Sequence, residues 1–125
     1  MPAVLEYRAL TKLKSTYVDT LPLEVNGRRF SISCVSMGNP HAVAFLDEPV
    51  EEVPLQELGP LVEHHALFPR RVNFEIVNVI DRSNVKARVW ERGSGLTMAC
   101  GSGACAIAVA ARTHGYIADE VTVAL

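Results

Sequence analysis

The chain has 125 residues, 49% hydrophobic and 21% charged, and its 12 Lys+Arg against 14 Asp+Glu leave a formal net charge of -2. That balance excludes a protein built mainly to grip phosphate backbones, and no apolar run approaches the roughly 20 residues that cross a bilayer, so neither nucleic acid nor membrane is an expected partner. The start lacks the basic-then-apolar pattern of a signal peptide, and three irregularly spaced cysteines suit a reducing compartment, so the expected location is cytoplasmic.

With no repeat, linker or low-complexity tract, residues 1–125 read as one domain, long enough to bury a core. Residues 3–25 read as irregular strands, with Pro22 confining the later one to a sheet edge. Asn26-Gly27 is a turn signal, and Arg28 to Met37 follows as a strand with Phe30, Ile32 and Cys34 on one face. Gly38-Asn39-Pro40 breaks it, and His41 to Leu46 reads as a short buried strand. Pro54 opens a helix in which Leu55, Leu58, Leu61, Val62 and His65 have helical spacing; Gly59-Pro60 should kink or divide it, and Phe68-Pro69 ends it. Val72 to Ile80 and Asn84 to Trp90 are strands joined by a turn at Asp81-Arg82-Ser83, the second with Val85, Ala87 and Val89 on one face. Glu91 to Ala99 reads as a loop. Gly101 to Thr113 is the clearest helix, rich in alanine and open to close approach, with Gly115 as its stop, and Glu120 to Leu125 begins a further strand. The pattern is that of the α+β class.

The residues with chemistry gather where the glycine loop enters that helix. Cys100 stands at the helix N-terminus, where free N–H groups and the dipole should lower its pKa below the reference of about 8.5. The amides of Gly101, Ser102 and Gly103 can hold a carboxylate or phosphate there. A buried cysteine beside a tight glycine turn explains the same pattern, and these cues alone leave both readings open. GSGACA matches a dinucleotide fingerprint, but only residues 121–125 follow Glu120, too few for a second βα unit. A phosphate-binding loop fails for lack of a lysine after the glycines. Cys100, Cys105 and His114 fit no standard zinc spacing, so no metal is expected. Cys105 lies about 140° around the helix from Cys100 and about 7.5 Å along it. It reads as core, as does Cys34, while His64, His65 and His114 read as solvated or capping. Asn39, before a proline, is pushed into an extended conformation that leaves its amide free. His41 opens an apolar strand and is a candidate acid or base beside a reactive cysteine, and Arg92 of the Glu91-Arg92 pair suits bidentate carboxylate binding.

Three segments, in order, resemble the motifs of the diaminopimelate epimerase family. Gly38 to Val43 (GNPHAV), Phe68 to Phe74 (FPRRVNF) and the run from Trp90-Glu91-Arg92-Gly93 through Ala99-Cys100-Gly101-Ser102-Gly103-Ala104-Cys105-Ala106 match, spanning residues 38–112. Leu96 stands where many members carry an acid. The resemblance implies a strongly curved mixed, mostly antiparallel sheet wrapped around a central helix. It implies a chain equivalent to the C-terminal half of such an enzyme, truncated at its own C-terminus, whose partner is the missing N-terminal domain. Homodimer formation is a further expectation.

That family needs no cofactor. It inverts one α-carbon of diaminopimelate between the LL and meso forms, one thiolate removing the proton and a thiol of the other domain delivering one to the opposite face. By resemblance Cys100 is one acid/base cysteine. Glu91 supports proton traffic at Cys100, and His41 does so for the partner domain's cysteine. Asn39, Asn73, Glu91 and Arg92, with the backbone of Gly101 and Ser102, hold the small amino acid substrate. A related racemase of the histidine or proline type, or a non-catalytic module retaining the fold, are the alternatives. Iodoacetamide labelling with peptide mapping should modify Cys100 faster than Cys34 or Cys105, and faster labelling of either of those would sink the low-pKa reading.

Overall fold

The computed structural model describes residues 4–8, 18–97, 101–118 and 120–125, so Cys100 lies outside the described residues. The strands are β1 (Val4–Arg8), β2 (Val18–Val25), β3 (Arg28–Ser36), β4 (Pro40–Phe45), β5 (Asn73–Asp81), β6 (Asn84–Glu91), β7 (Gly95–Thr97) and β8 (Glu120–Ala124). The helices are α1 (Leu55–Glu63) and α2 (Gly101–Thr113), with a 3-10 turn at Val50–Glu52 that carries no sequence signal. The strands form one sheet in the order β1-β8-β6-β5-β4-β3-β2, with β7 beside β6. The β4–β5 and β6–β8 pairs are parallel and the others antiparallel, so the sheet is mixed and mostly antiparallel. Pro22 lies on edge strand β2, as its missing N–H requires.

The two faces carry separate cores. Val35, Val43, Val77, Val85, Ala87, Val121 and Val123 pack against α2. Phe30, Ile32, Ala42, Ala44, Phe74 and Ile76 face the other way, onto Leu55, Leu58 and Val62 of α1. Contacts to α2 come from β1, β3, β4 and β5. β1 and β3 stand five steps apart in the sheet. At about 4.8 Å per step they would be about 24 Å apart if flat, more than twice the width of a helix. The sheet therefore curves around α2, as the resemblance implied. Residues 106–111, Ala-Ile-Ala-Val-Ala-Ala, are all buried, and their small volume is what lets strands approach from several sides. Gly115, with φ of 76°, takes the left-handed turn that ends the helix.

Expectations for α1 and for the segment after Glu91 differ from the structure: α1 ends at Glu63, so His65 and Phe68 lie beyond it. Gly59-Pro60 does not divide α1, which runs unbroken from Leu55 to Glu63, and His64 N–H still bonds Pro60 O at 3.0 Å. Gly59 serves close packing instead, since a Cβ there would lie 2.3 Å from Trp90 Cδ2. The segment after Glu91 is not all loop: Gly95–Thr97 folds back on β6, pairing Thr97 with Val89 and Gly95 with Glu91. The reversal uses positive φ at Gly93 and Gly95, and a three-residue strand is too short to show alternation. Among the described residues no helix is long and apolar enough to cross a membrane.

Gly59→Ala should lower stability by about 1–3 kcal/mol, overpacking against the indole outweighing the better helix propensity. Urea unfolding followed by the emission of Trp90, the chain's one tryptophan, measures it; an unchanged or higher midpoint would refute the contact.

Candidate active site

One end of the sheet collects the starts of β4 and β5, the end of β6 and the head of α2. Strand parity does the sorting. Ala42 and Ala44 face α1, so His41 and Val43 face α2; Phe74 and Ile76 face α1, so Asn73, Glu75 and Val77 face α2. The parallel register sets His41 opposite Asn73 and Val43 opposite Glu75. By the same alternation Glu91 falls on the α2 side of β6, the side of Val85 and Ala87.

A hydrogen-bonded chain runs from this core to the helix. His41 Nδ1 pairs with Glu75 Oε1, both side chains fully buried. His41 Nε2–H donates to Asn39 Oδ1 at 3.1 Å, and Asn39 Nδ2 donates to Ser102 Oγ at 3.3 Å. Because Asn39 Oδ1 only accepts, this arrangement places a proton on Nε2. Burial first, and the Arg92 guanidinium second, lower the His41 pKa from 6.5 to about 4. Charging this ring is thus unfavourable near neutral pH; with Nε2 carrying the proton of the neutral ring, Nδ1 accepts the hydrogen bond from the Glu75 carboxyl, and the ring orients Asn39.

The turn carrying Glu91 and Arg92 is held from two sides. Asn73, 2% exposed, donates through Nδ2 to Pro40 O at 3.0 Å and accepts Arg92 N–H at Oδ1 at 2.7 Å. Its amide thereby ties the start of β4 to the β6–β7 turn. From α1, Glu63 Oε1 accepts Trp90 Nε1–H at 2.9 Å and Oε2 accepts Gly93 N–H at 3.0 Å. Burial raises the Glu63 carboxyl, but the Trp90 and Gly93 hydrogen bonds, with the charges of His64 and Arg71, outweigh it and hold the pKa below the usual carboxylate value. Glu91 is half-buried and Arg92 exposed, its Nη1 donating to Arg70 O at 3.4 Å. Beside Asn39 a cavity of about 420 Å³ is walled in part by Pro40, Phe68, Arg70 and Arg71.

The structure therefore places Asn39 in contact with both His41 and Ser102 and binds Asn73 to Arg92. Gly101 is the first residue of α2, directly after Cys100. Cys34 and Cys105 are half-buried, Cys34 on the α1 side. His64 Nδ1 lies 2.9 Å from Pro60 O at the end of α1, a capping role. His114 is exposed yet bonds the buried Ser33 Oγ at 2.8 Å and stacks on Tyr116. Among the described residues no group of three or more His, Cys, Asp or Glu is placed to hold a metal ion.

Sequence reasoning passed over Glu75 and Glu63. Both had a signal: Glu75 interrupts an apolar strand two residues after Asn73, and Glu63 lies four residues after Gly59 on the buried stripe of α1. An acid on a buried face requires partners.

Comparison with known proteins matches residues 33–125 to the family model described as Diaminopimelate epimerase. Among curated relatives named diaminopimelate epimerase, that of Acetivibrio thermocellus is 53% identical over 106 residues, 85% of this chain and 38% of the relative. That of Moorella thermoacetica is 54% identical over 104 residues, 83% of this chain and 37% of the relative. That of Methanococcus maripaludis is 54% identical over 96 residues, 77% of this chain and 34% of the relative. The chain thus spans little more than a third of the length of these relatives.

The neutral His41 makes the fold acid-sensitive. Its folded pKa, about 4, lies below the unfolded 6.5, so its contribution is fully present above pH 6.5 and is lost as pH falls from 6.5 towards 4. His41→Gln should flatten this part of the stability profile, and an equally steep fall in the variant would contradict the assignment.

Proposed function

This chain belongs to the diaminopimelate epimerase family, and from that premise we propose that it supplies one proton-transfer half of a cofactor-independent epimerase acting on diaminopimelate. The observation that carries the reading is the contact of Asn39, itself held by His41, with Ser102 across 63 residues, which joins the first motif to the cysteine motif at the head of α2. The 125-residue chain is read as one domain equivalent to the C-terminal half. The other half, with its own cysteine, is its partner, and the reaction belongs to lysine and peptidoglycan-precursor synthesis in the cytoplasm.

The chemistry follows from what an amino acid α-carbon requires. Its C–H is weakly acidic, and without an electron sink the developing enolate charge has to be met by fixed donors. The N–H groups of Gly101 and Ser102, at the positive end of α2, meet the α-carboxylate where that charge appears. Asn39, oriented by His41, supplies a further donor edge. The Arg92 guanidinium binds the distal carboxylate, and Glu91, where the β6–β7 turn begins, supports proton movement at Cys100. Inversion breaks the α-C–H bond on one face and forms a new one on the other. The proton passes to the thiolate on its side while the opposite thiol gives up its own, so the net proton count is unchanged. Each domain serves one face, and Cys100 serves this one.

Solvent deuterium incorporation at the α-carbon of diaminopimelate tests the reading. This chain combined with the first half of a related epimerase should catalyse stereoinverting exchange, and the 125-residue chain alone should not. Cys100→Ala in the combined protein should lose about 10²–10⁴-fold or more in rate. Undiminished exchange in that variant would overturn the assignment of Cys100.

A further inference from the structure

Glu91 and Arg92 are bracketed by two donors that converge on one side chain. Trp90, immediately before Glu91, donates its indole N–H to Glu63 Oε1 at 2.9 Å. Gly93, immediately after Arg92, donates its backbone N–H to Glu63 Oε2 at 3.0 Å. Glu63 is the last residue of α1 and 5% exposed, so its carboxylate is a fixed point of the scaffold. The third tie on the same turn is Arg92 N–H to Asn73 Oδ1.

We propose that Glu63 is a positioning residue for substrate binding: by bonding both flanks of the Glu91–Arg92 pair it sets the turn that presents them at the head of α2, without touching substrate. The substrate part of this inference rests on the diaminopimelate reading above; the dependence of the turn on Glu63 does not. The geometry calls for a carboxylate. Two N–H groups meet two oxygens, whereas a glutamine has one oxygen and would turn its NH₂ against the other donor. A buried donor left facing a donor is unfavourable, so the turn would shift to relieve it. The Trp90 ring also packs against Gly59 of α1, so the flank on that side has little freedom and Gly93 is the side that yields.

Amide hydrogen exchange by NMR on the 125-residue chain tests the turn. Glu63→Gln should speed exchange at both Gly93 and Arg92 by about tenfold or more, because the shifted turn also pulls Arg92 N–H from Asn73. Adding Trp90→Phe removes the indole donor and frees the glutamine oxygen for Gly93, so the double variant should recover Gly93 protection to within about threefold. Unchanged exchange at Arg92 in Glu63→Gln, or no recovery of Gly93 in the double variant, would overturn the proposal. In the combined, active protein, Glu63→Gln should raise KM for diaminopimelate about tenfold with a smaller change in kcat, and the double variant should restore it. An unchanged KM would likewise overturn it. Absence of wild-type activity on diaminopimelate would instead sink the proposed function, while the exchange measurements would still decide the role of Glu63.

Discussion

A helix buried on several sides has to be thin, and the geometry of this molecule follows from that constraint on α2. Its stretch from Ala106 to Ala111 contains four alanines, one isoleucine and one valine, all buried. Leucine or phenylalanine at the alanine positions would hold the strands too far away for the sheet to curve from β1 round to β3. Once the sheet curves, the helix axis lies along the trough and its head meets one end of the strands. The parallel pair β4–β5 begins at that end and the antiparallel β6 finishes there, so residues far apart in sequence arrive together. Asn39, His41, Asn73, Glu91 and Ser102 owe their proximity to this arrangement, not to any local motif.

Enclosing the helix creates a second problem, the polar groups that the site needs inside the core. Two buried acids answer it differently. Glu75 sits on the α2 face and pairs with His41, so the ring is held by a partner that never reaches solvent. Glu63 sits on the α1 side and accepts two N–H groups, which keeps it ionised despite burial. One acid sets a ring and the other sets a turn. Neither is exposed enough to meet a ligand, and both act through the residues they hold.

The elements were legible where periodicity was strong. Val85, Ala87 and Val89 in β6 appear as their spacing implies, because one face of that strand is uniformly apolar, and α2 appears because the run from Gly101 to Thr113 is rich in alanine and apolar on several sides. Gly59-Pro60 misled because local preference was weighed without the neighbour: the glycine is there for the Trp90 ring, a contact made 31 residues away. β7 was invisible because three residues carry no period. The site was legible as residue types in the GNPH, FPRRVN and ERG segments. Its wiring was not, since Glu75 and Glu63 acquire meaning only when strand register and helix packing place them under those segments. Hydrogen-bond direction, as at Asn39 between His41 and Ser102, is likewise a property of the assembled fold.

The low basicity of His41 has a consequence for the proposed chemistry. A charged imidazolium beneath the head of α2 would stabilise a bound carboxylate in ground state and transition state alike, which tightens binding without speeding proton removal. A neutral ring that orients Asn39 instead leaves the developing enolate to be met by neutral dipoles, the amides at the start of the helix and the side-chain donors around them. Such dipoles are fixed before the reaction begins, and they gain most where charge grows most. Full charges are then left to the two ends of the arrangement, the thiolate that takes the proton and the Arg92 guanidinium at the solvent side. In this reading the burial of His41 matters for keeping charge out of the place where it would be indiscriminate, and the depression of its pKa, caused by that burial and then by the Arg92 guanidinium, is the electrostatic trace of that role.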